Sequence, residues 1–301
     1  MKRYRAFALT LAAAAVLAVL SVEAVHAQAP TATSKTWAPA RTPDGQPDIQ
    51  GFWARNTGPG SPSHSLEEGS EPRAFIIQGR NPKTAGGNVI VEPADKRIPY
   101  QPWAAAKRTE NLVNLFAPTK REQVDPDDRC LLNGAPREIY GGGFQIVQVP
   151  GQVVFLFEDS HSYRIIPTDG RPHVGENIKL WNGDPRGHWE GNTLVVEVTN
   201  QNDRTWLDSH GSFHSDALRV VERFTPVDAN TIRYEATIED PKVFTRPWKI
   251  AMPLNRNDQA GLELWEEACH EGERSVEGML RAGRVLKEAG QTGIHSHDLP
   301  Q

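Results

Sequence analysis

Apolar and polar residues alternate in short runs along the second half of the chain. GFQIVQVP (143–150), GQVVFLFED (151–159) and SYRIIPT (162–168) come first. HWEGNTLVVEV (188–198), LRVVERF (218–224), TIRYEATIED (231–240), RPWKIAMPLNR (246–256) and LELWEEACHE (262–271) follow. Period two marks a half-buried strand. Turn residues punctuate the gaps, at Pro150-Gly151, Glu190-Gly191-Asn192, Asp228-Ala229-Asn230 and Asn255 to Asp258. The spacing predicts about eight or nine antiparallel strands without intervening helices. Helical spacing is read at Pro102 to Leu115, with Pro near its start, and at Ser275 to Ala289, capped by Ser275.

The expected fold class is therefore mainly β: an antiparallel β-barrel or barrel-like sandwich with a long N-terminal arm and one C-terminal helix. Residues 1–27 read as a signal peptide, with Lys2, Arg3 and Arg5 before the apolar run Ala6 to Leu20 and a cleavage site at Val25-His26-Ala27. A periplasmic or secreted product follows. Residues 28–46, rich in Ala, Thr and Pro, read as a disordered linker. Residues 47–129 form an arm wrapping the barrel, with AFIIQG (74–79) as a short strand; 130–274 form the barrel core, and 275–301 the C-terminal helix and tail. Cleavage would remove Lys2, Arg3, Arg5 and Glu23, moving the net charge from −5 to −7. That balance argues against nucleic acid or an anionic membrane as partner and leaves a small-molecule substrate or ligand. The two cysteines, Cys130 and Cys269, are expected to bond in an oxidising compartment.

Several motifs carry a resemblance: PDIQGFW, CLLNGAPRE, FQIVQVPGQVVFLFE, YRIIPTDGRPH, GHWEGNTLVVEV, NDRTWLD and HSDALRVVERF. As a set they resemble a family of secreted bacterial β-rich proteins, over most of the chain from Pro47 to about Arg274. The resemblance implies one β-rich fold and brings no activity or catalytic residue with it. Gly51-x-Trp53 is similar to the first-strand signature of lipocalin-type barrels, which implies a lipocalin- or calycin-like barrel.

A polar loop between two predicted strands holds Asn202, Asp203, Arg204, Trp206, Asp208, His210 and His214. Loops on a rigid sheet commonly carry chemistry. On the strand after it, Leu218, Val220, Glu222 and Phe224 share one face. A carboxylate on an apolar face needs a cation or a raised pKa. Glu222 is thus either a structural ion pair or a general acid or base. His173, after the turn Asp169-Gly170-Arg171-Pro172, and His214 are the candidates for proton transfer, with Asp208 assisting. Arg204, Trp206, Tyr163, Trp181 and Arg171, with Trp189, could line an aromatic pocket with a fixed cation. They could equally be packing residues. His210, His214 and Glu222 are a weaker metal-ligand set, because the close His-x-His pair of cupins is absent. Asp125 to Cys130 offers carboxylates to calcium without the full loop pattern. No cofactor is expected.

The leading expectation is a secreted enzyme doing acid–base chemistry on a small or medium organic substrate, as a lyase, isomerase or hydrolase, on a sugar acid or an aromatic compound. A periplasmic lipocalin-like binding protein without turnover and a metal-dependent cupin-like enzyme remain open. A cavity shared by Glu222 and a histidine would favour the first, an apolar cavity the second, and converging histidines or carboxylates the third.

Overall fold

The computed structural model describes residues 37–55, 65–67 and 89–291. In chain order the elements are β1 (Gly51–Arg55), β2 (Ile90–Glu92), α1 (Pro102–Phe116), α2 (Glu138–Gly141), β3 (Gly143–Val149), β4 (Gln152–Phe157) and β5 (Tyr163–Pro167). Then come β6 (Asp184–Glu190), β7 (Thr193–Thr199), β8 (Arg219–Pro226), β9 (Thr231–Glu239), β10 (Trp248–Arg256) and α3 (Ser275–Glu288).

The sheet order is β5-β4-β3-β1-β10-β9-β8-β7-β6, with β2 added beside β10. The path follows the sequence, closed on itself by β1 between β10 and β3. Each neighbouring pair is antiparallel. An odd number of antiparallel strands leaves the first and last, β5 and β6, pointing the same way. They cannot share an antiparallel ladder, so the barrel stays nearly closed. A parallel neighbour also needs a long connection, and residues 168–183 supply it, running from one end of the barrel to the other. The strands still approach closely: a Cβ on Gly187 of β6 would stand 2.7 Å from Ile166 Cγ2 of β5.

The inward positions fill the barrel. Leu194, Val196 and Val198 of β7, and Leu218, Val220, Glu222 and Phe224 at β8, are buried as their period-two pattern predicts. Phe155, Phe224 and Tyr234 meet through the core as tilted ring pairs at centroid distances of 5.1 and 5.0 Å. Tight hairpins at Pro150-Gly151, Gly191-Asn192 and residues 227–230 close one end. The long connections, residues 200–218 and 240–247, lie at the other end with the segment leading into β3.

Four expectations change. LELWEEACHE is not a strand, and β1 takes the free edge of β10 instead. The stretch containing LELWEEACHE lies along residues 158–161, with Trp265 N–H donating to Glu158 and Ser160 N–H to Glu267. β1 and β2 belong to the sheet, so the barrel begins well before Cys130. Residues 37–46 are ordered: Arg41 bridges Pro47, and its guanidinium donates to Asn192 at 2.9 Å. α3 begins at Ser275, but Arg274 stands at its cap position and no side chain caps it. The signal peptide, residues 28–36 and AFIIQG lie outside the described residues. Cys130 and Cys269 form a disulfide.

Candidate functional site

The loop end of the barrel gathers the polar residues. Glu222 projects from β8 into the interior and meets Arg164 of β5 as a bidentate ion pair, with Nη1–Oε1 at 3.1 Å and a short contact from Nη2 to Oε2. Tyr234 of β9 donates its hydroxyl to Glu222 at 2.8 Å. Burial works to lower the Arg164 pKa, but Glu222 outweighs it and holds the guanidinium above its ordinary value. The cation facing Glu222 is Arg164 rather than His173, His214 or Arg204.

The histidines are also engaged in the fold. His173 Nδ1 bonds Asp184 at 2.9 Å and lies 3.2 Å from Thr199 Oγ1. Asp184 also accepts from Val174 N–H, and Asn200 donates to the Gly175 and Ile178 carbonyls. Together they fasten the 168–183 crossover onto β6 and the end of β7. His214 donates from Nδ1 to the Ser215 carbonyl at 2.9 Å, so its Nε2 accepts from Thr205 Oγ1 at 2.7 Å. Burial lowers its pKa, against the pull of the Ser215 carbonyl and of Asp240. Asp208 is fully buried and accepts from His210 N–H, Ser212 N–H and Ser212 Oγ. It organises its own loop.

His210, His214 and Glu222 do not converge. Among the described residues, the ligand atoms that gather within 4.8 Å belong to Cys130, Cys269 and Glu273, and both cysteines are in the disulfide.

The aromatic pocket fares better. Trp181, Arg204 and Trp206 line one open groove of about 880 Å³, together with Arg121, Arg129 and His270. One wall comes from residues 121–131 and another from the C-terminal segment, and Cys130–Cys269 ties them. Arg121 is paired with Glu122 at 2.9 Å, and Glu273 accepts the Ser275 N–H. The guanidinium groups of Arg129 and Arg204 carry no hydrogen bond or ion pair within the described residues, and Arg129 Nε is buried. Tyr163 and Arg171 are elsewhere. Tyr163 is 62% exposed on the outside of β5, Arg171 pairs with Asp169 in its turn, and Trp189 borders a small cavity at the hairpin end.

Sequence reasoning missed Arg129 and His270, which have no local motif, and Glu138. Glu138 is buried beside Ser162, Asn182 and Arg164; burial is the main cause pushing its carboxyl up to about 7, against the pull of Arg164. Comparison of the chain with protein-family models, with curated proteins and with solved structures gives no match.

Proposed function

We propose that the chain is an exported binding protein whose groove takes an anionic, ring-bearing organic molecule. The reading is carried by the meeting of Trp181 and Trp206 with Arg129 and Arg204 on one groove. Indole faces stack on a flat ring, and a guanidinium fork matches a carboxylate. A volume of about 880 Å³ suits a medium-sized molecule. The residues expected to move protons, His173, His214, Asp208 and Glu222, are each held by structural partners, which favours binding over turnover. The signal-like N-terminus and the disulfide support export.

Acid–base turnover is a second reading with one observation in its favour: a buried carboxyl, Glu138, titrating near 7. A tryptophan-fluorescence titration with naphthalene-2-carboxylate and its uncharged amide tests both. We expect saturable quenching by the acid, little by the amide, and affinity lowered about tenfold in Arg204→Ala, worth ~1.4 kcal/mol. If the acid does not bind, or Arg204→Ala binds it equally well, the binding reading fails. Conversion of the probe, followed by NMR, would favour turnover.

A further inference from the structure

Helix α1 turns Ala104, Arg108 and Leu112 inward at helical spacing. This stripe packs on the 208–214 loop. Asn111 donates to the Gly211 carbonyl at 3.1 Å, and a Cβ on Gly211 would stand 2.7 Å from Asn111 Cβ. Arg108 is the one charged member of the stripe and only 9% exposed. Its Nε and Nη2 have no hydrogen-bond partner, and the buried hydroxyl of Tyr100 faces Ser212 without hydrogen-bond geometry to it. The nearby carboxylates are engaged with other donors. Asp208 accepts from Ser212 and from backbone N–H groups, and Glu67 accepts the Ile98 N–H at 2.8 Å. Burying a guanidinium without acceptors is costly. The Nε–H and Nη2–H bonds lie parallel on one edge of the fork, spaced for the two oxygens of one carboxylate.

We propose that Arg108 and Tyr100 form a buried receptor for the carboxylate of a small organic acid with an apolar body, separate from the groove. One carboxylate accepts from Nε and Nη2 of Arg108, and the Tyr100 hydroxyl is the third donor. Burial holds the Tyr100 phenol above its ordinary pKa, so it keeps its proton at neutral pH. The apolar body follows from the rings beside the site. Tyr100 stacks on Phe213 at 6.4 Å, and Phe213 meets Trp103 edge-on at 5.9 Å. Trp103 is exposed, so the ring series reaches the surface. Asp208 and Glu67 act on the same phenol as Arg108. Their charge opposes any bound anion, and a dianion more than a monoanion, so the fork of Arg108 must carry the affinity and the receptor favours a monocarboxylate over sulfate or phosphate.

Calorimetric titration of the full chain with phenylacetate, using sulfate as control, tests this. We expect phenylacetate to bind and sulfate not to. Arg204→Ala, which alters only the groove, should retain the phenylacetate affinity of this receptor. Added to Arg204→Ala, which weakens the groove, Arg108→Lys keeps the charge but loses the fork and should weaken the remaining binding at least about tenfold. In the wild type, the ¹⁵Nε resonance of Arg108 should shift on addition of phenylacetate, a readout that needs no variant. An Arg204→Ala/Arg108→Lys protein that binds like Arg204→Ala, an Arg108 resonance that stays fixed, or equal binding of sulfate would overturn the proposal. If Arg204→Ala alone abolished phenylacetate binding, the receptor would be refuted and the groove reading would stand.

Discussion

At the scale of the residue, the interior charge is set by Glu222, Arg164 and Tyr234. Glu222→Gln would leave Arg164 buried opposite a neutral amide. Breaking a buried pair from one side costs about 3–5 kcal/mol, so the melting temperature should drop by many degrees. Glu138 makes a separate prediction. Its carboxyl titrates at about 7 in the folded chain, against an ordinary 4.5. Between those values the folded state holds a proton that the unfolded state has released, so stability falls as pH rises from about 4.5 to 7 and levels off above. Glu138→Gln should flatten that slope and stabilise the protein above pH 7, by an order of ~3 kcal/mol. Urea denaturation across this pH range checks it. The inward direction of Glu222 was legible from period two, but its partner was not. In SYRIIPT the apolar Tyr163 and Ile165 point outward and Arg164 inward, because Glu222 waits inside. An ion pair there reverses the side that hydropathy alone would choose, and alternation cannot reveal which strand lies across the barrel.

At the scale of the element, the hairpins and strands of the second half were legible because their turn residues and period two agree. For β1 the Gly51-x-Trp53 signature hints at a first barrel strand although residues 47–129 read as an arm, and nothing local shows that a strand near residue 51 pairs with one ending at residue 256. Its Gly51-x-Trp53 pattern has a structural reason. Arg256 lies 4.3 Å over the Trp53 ring and donates to the Gln50 carbonyl, and a Cβ on Gly51 would collide with its guanidinium. Gly51 also has φ +124°, a conformation that L side chains rarely adopt. Gly51→Ala should therefore displace Arg256 and cost roughly 1–3 kcal/mol, read as a lowered denaturation midpoint with the barrel's circular dichroism retained. The groove was partly legible: Trp181, Arg204 and Trp206 came from one polar loop and its neighbour. Arg129 and His270 were hidden because they reach it from segments joined through the disulfide.

At the scale of the whole molecule, the odd strand count leaves a parallel seam, and the disulfide holds the C-terminal segment against the barrel mouth. Cys130 and Cys269 are 139 positions apart, so the bond restrains a large loop in the unfolded chain. Replacing both with Ser should cost roughly 4–5 kcal/mol in the chain-entropy model. It should also loosen one wall of the groove, so ligand affinity should fall even at temperatures where the variant is folded. A double variant that keeps full affinity would separate the groove from the disulfide.

In the proposed reading the interior carboxylate Glu222 is structural and the groove binds. Ligand affinity and thermal stability measured side by side for wild type, Arg204→Ala and Glu222→Gln, with naphthalene-2-carboxylate, test it most directly. Arg204→Ala should lose about tenfold in affinity and little stability, while Glu222→Gln should lose stability and keep its affinity below its melting temperature. The opposite pattern, binding lost in Glu222→Gln at unchanged stability and preserved in Arg204→Ala, would contradict it.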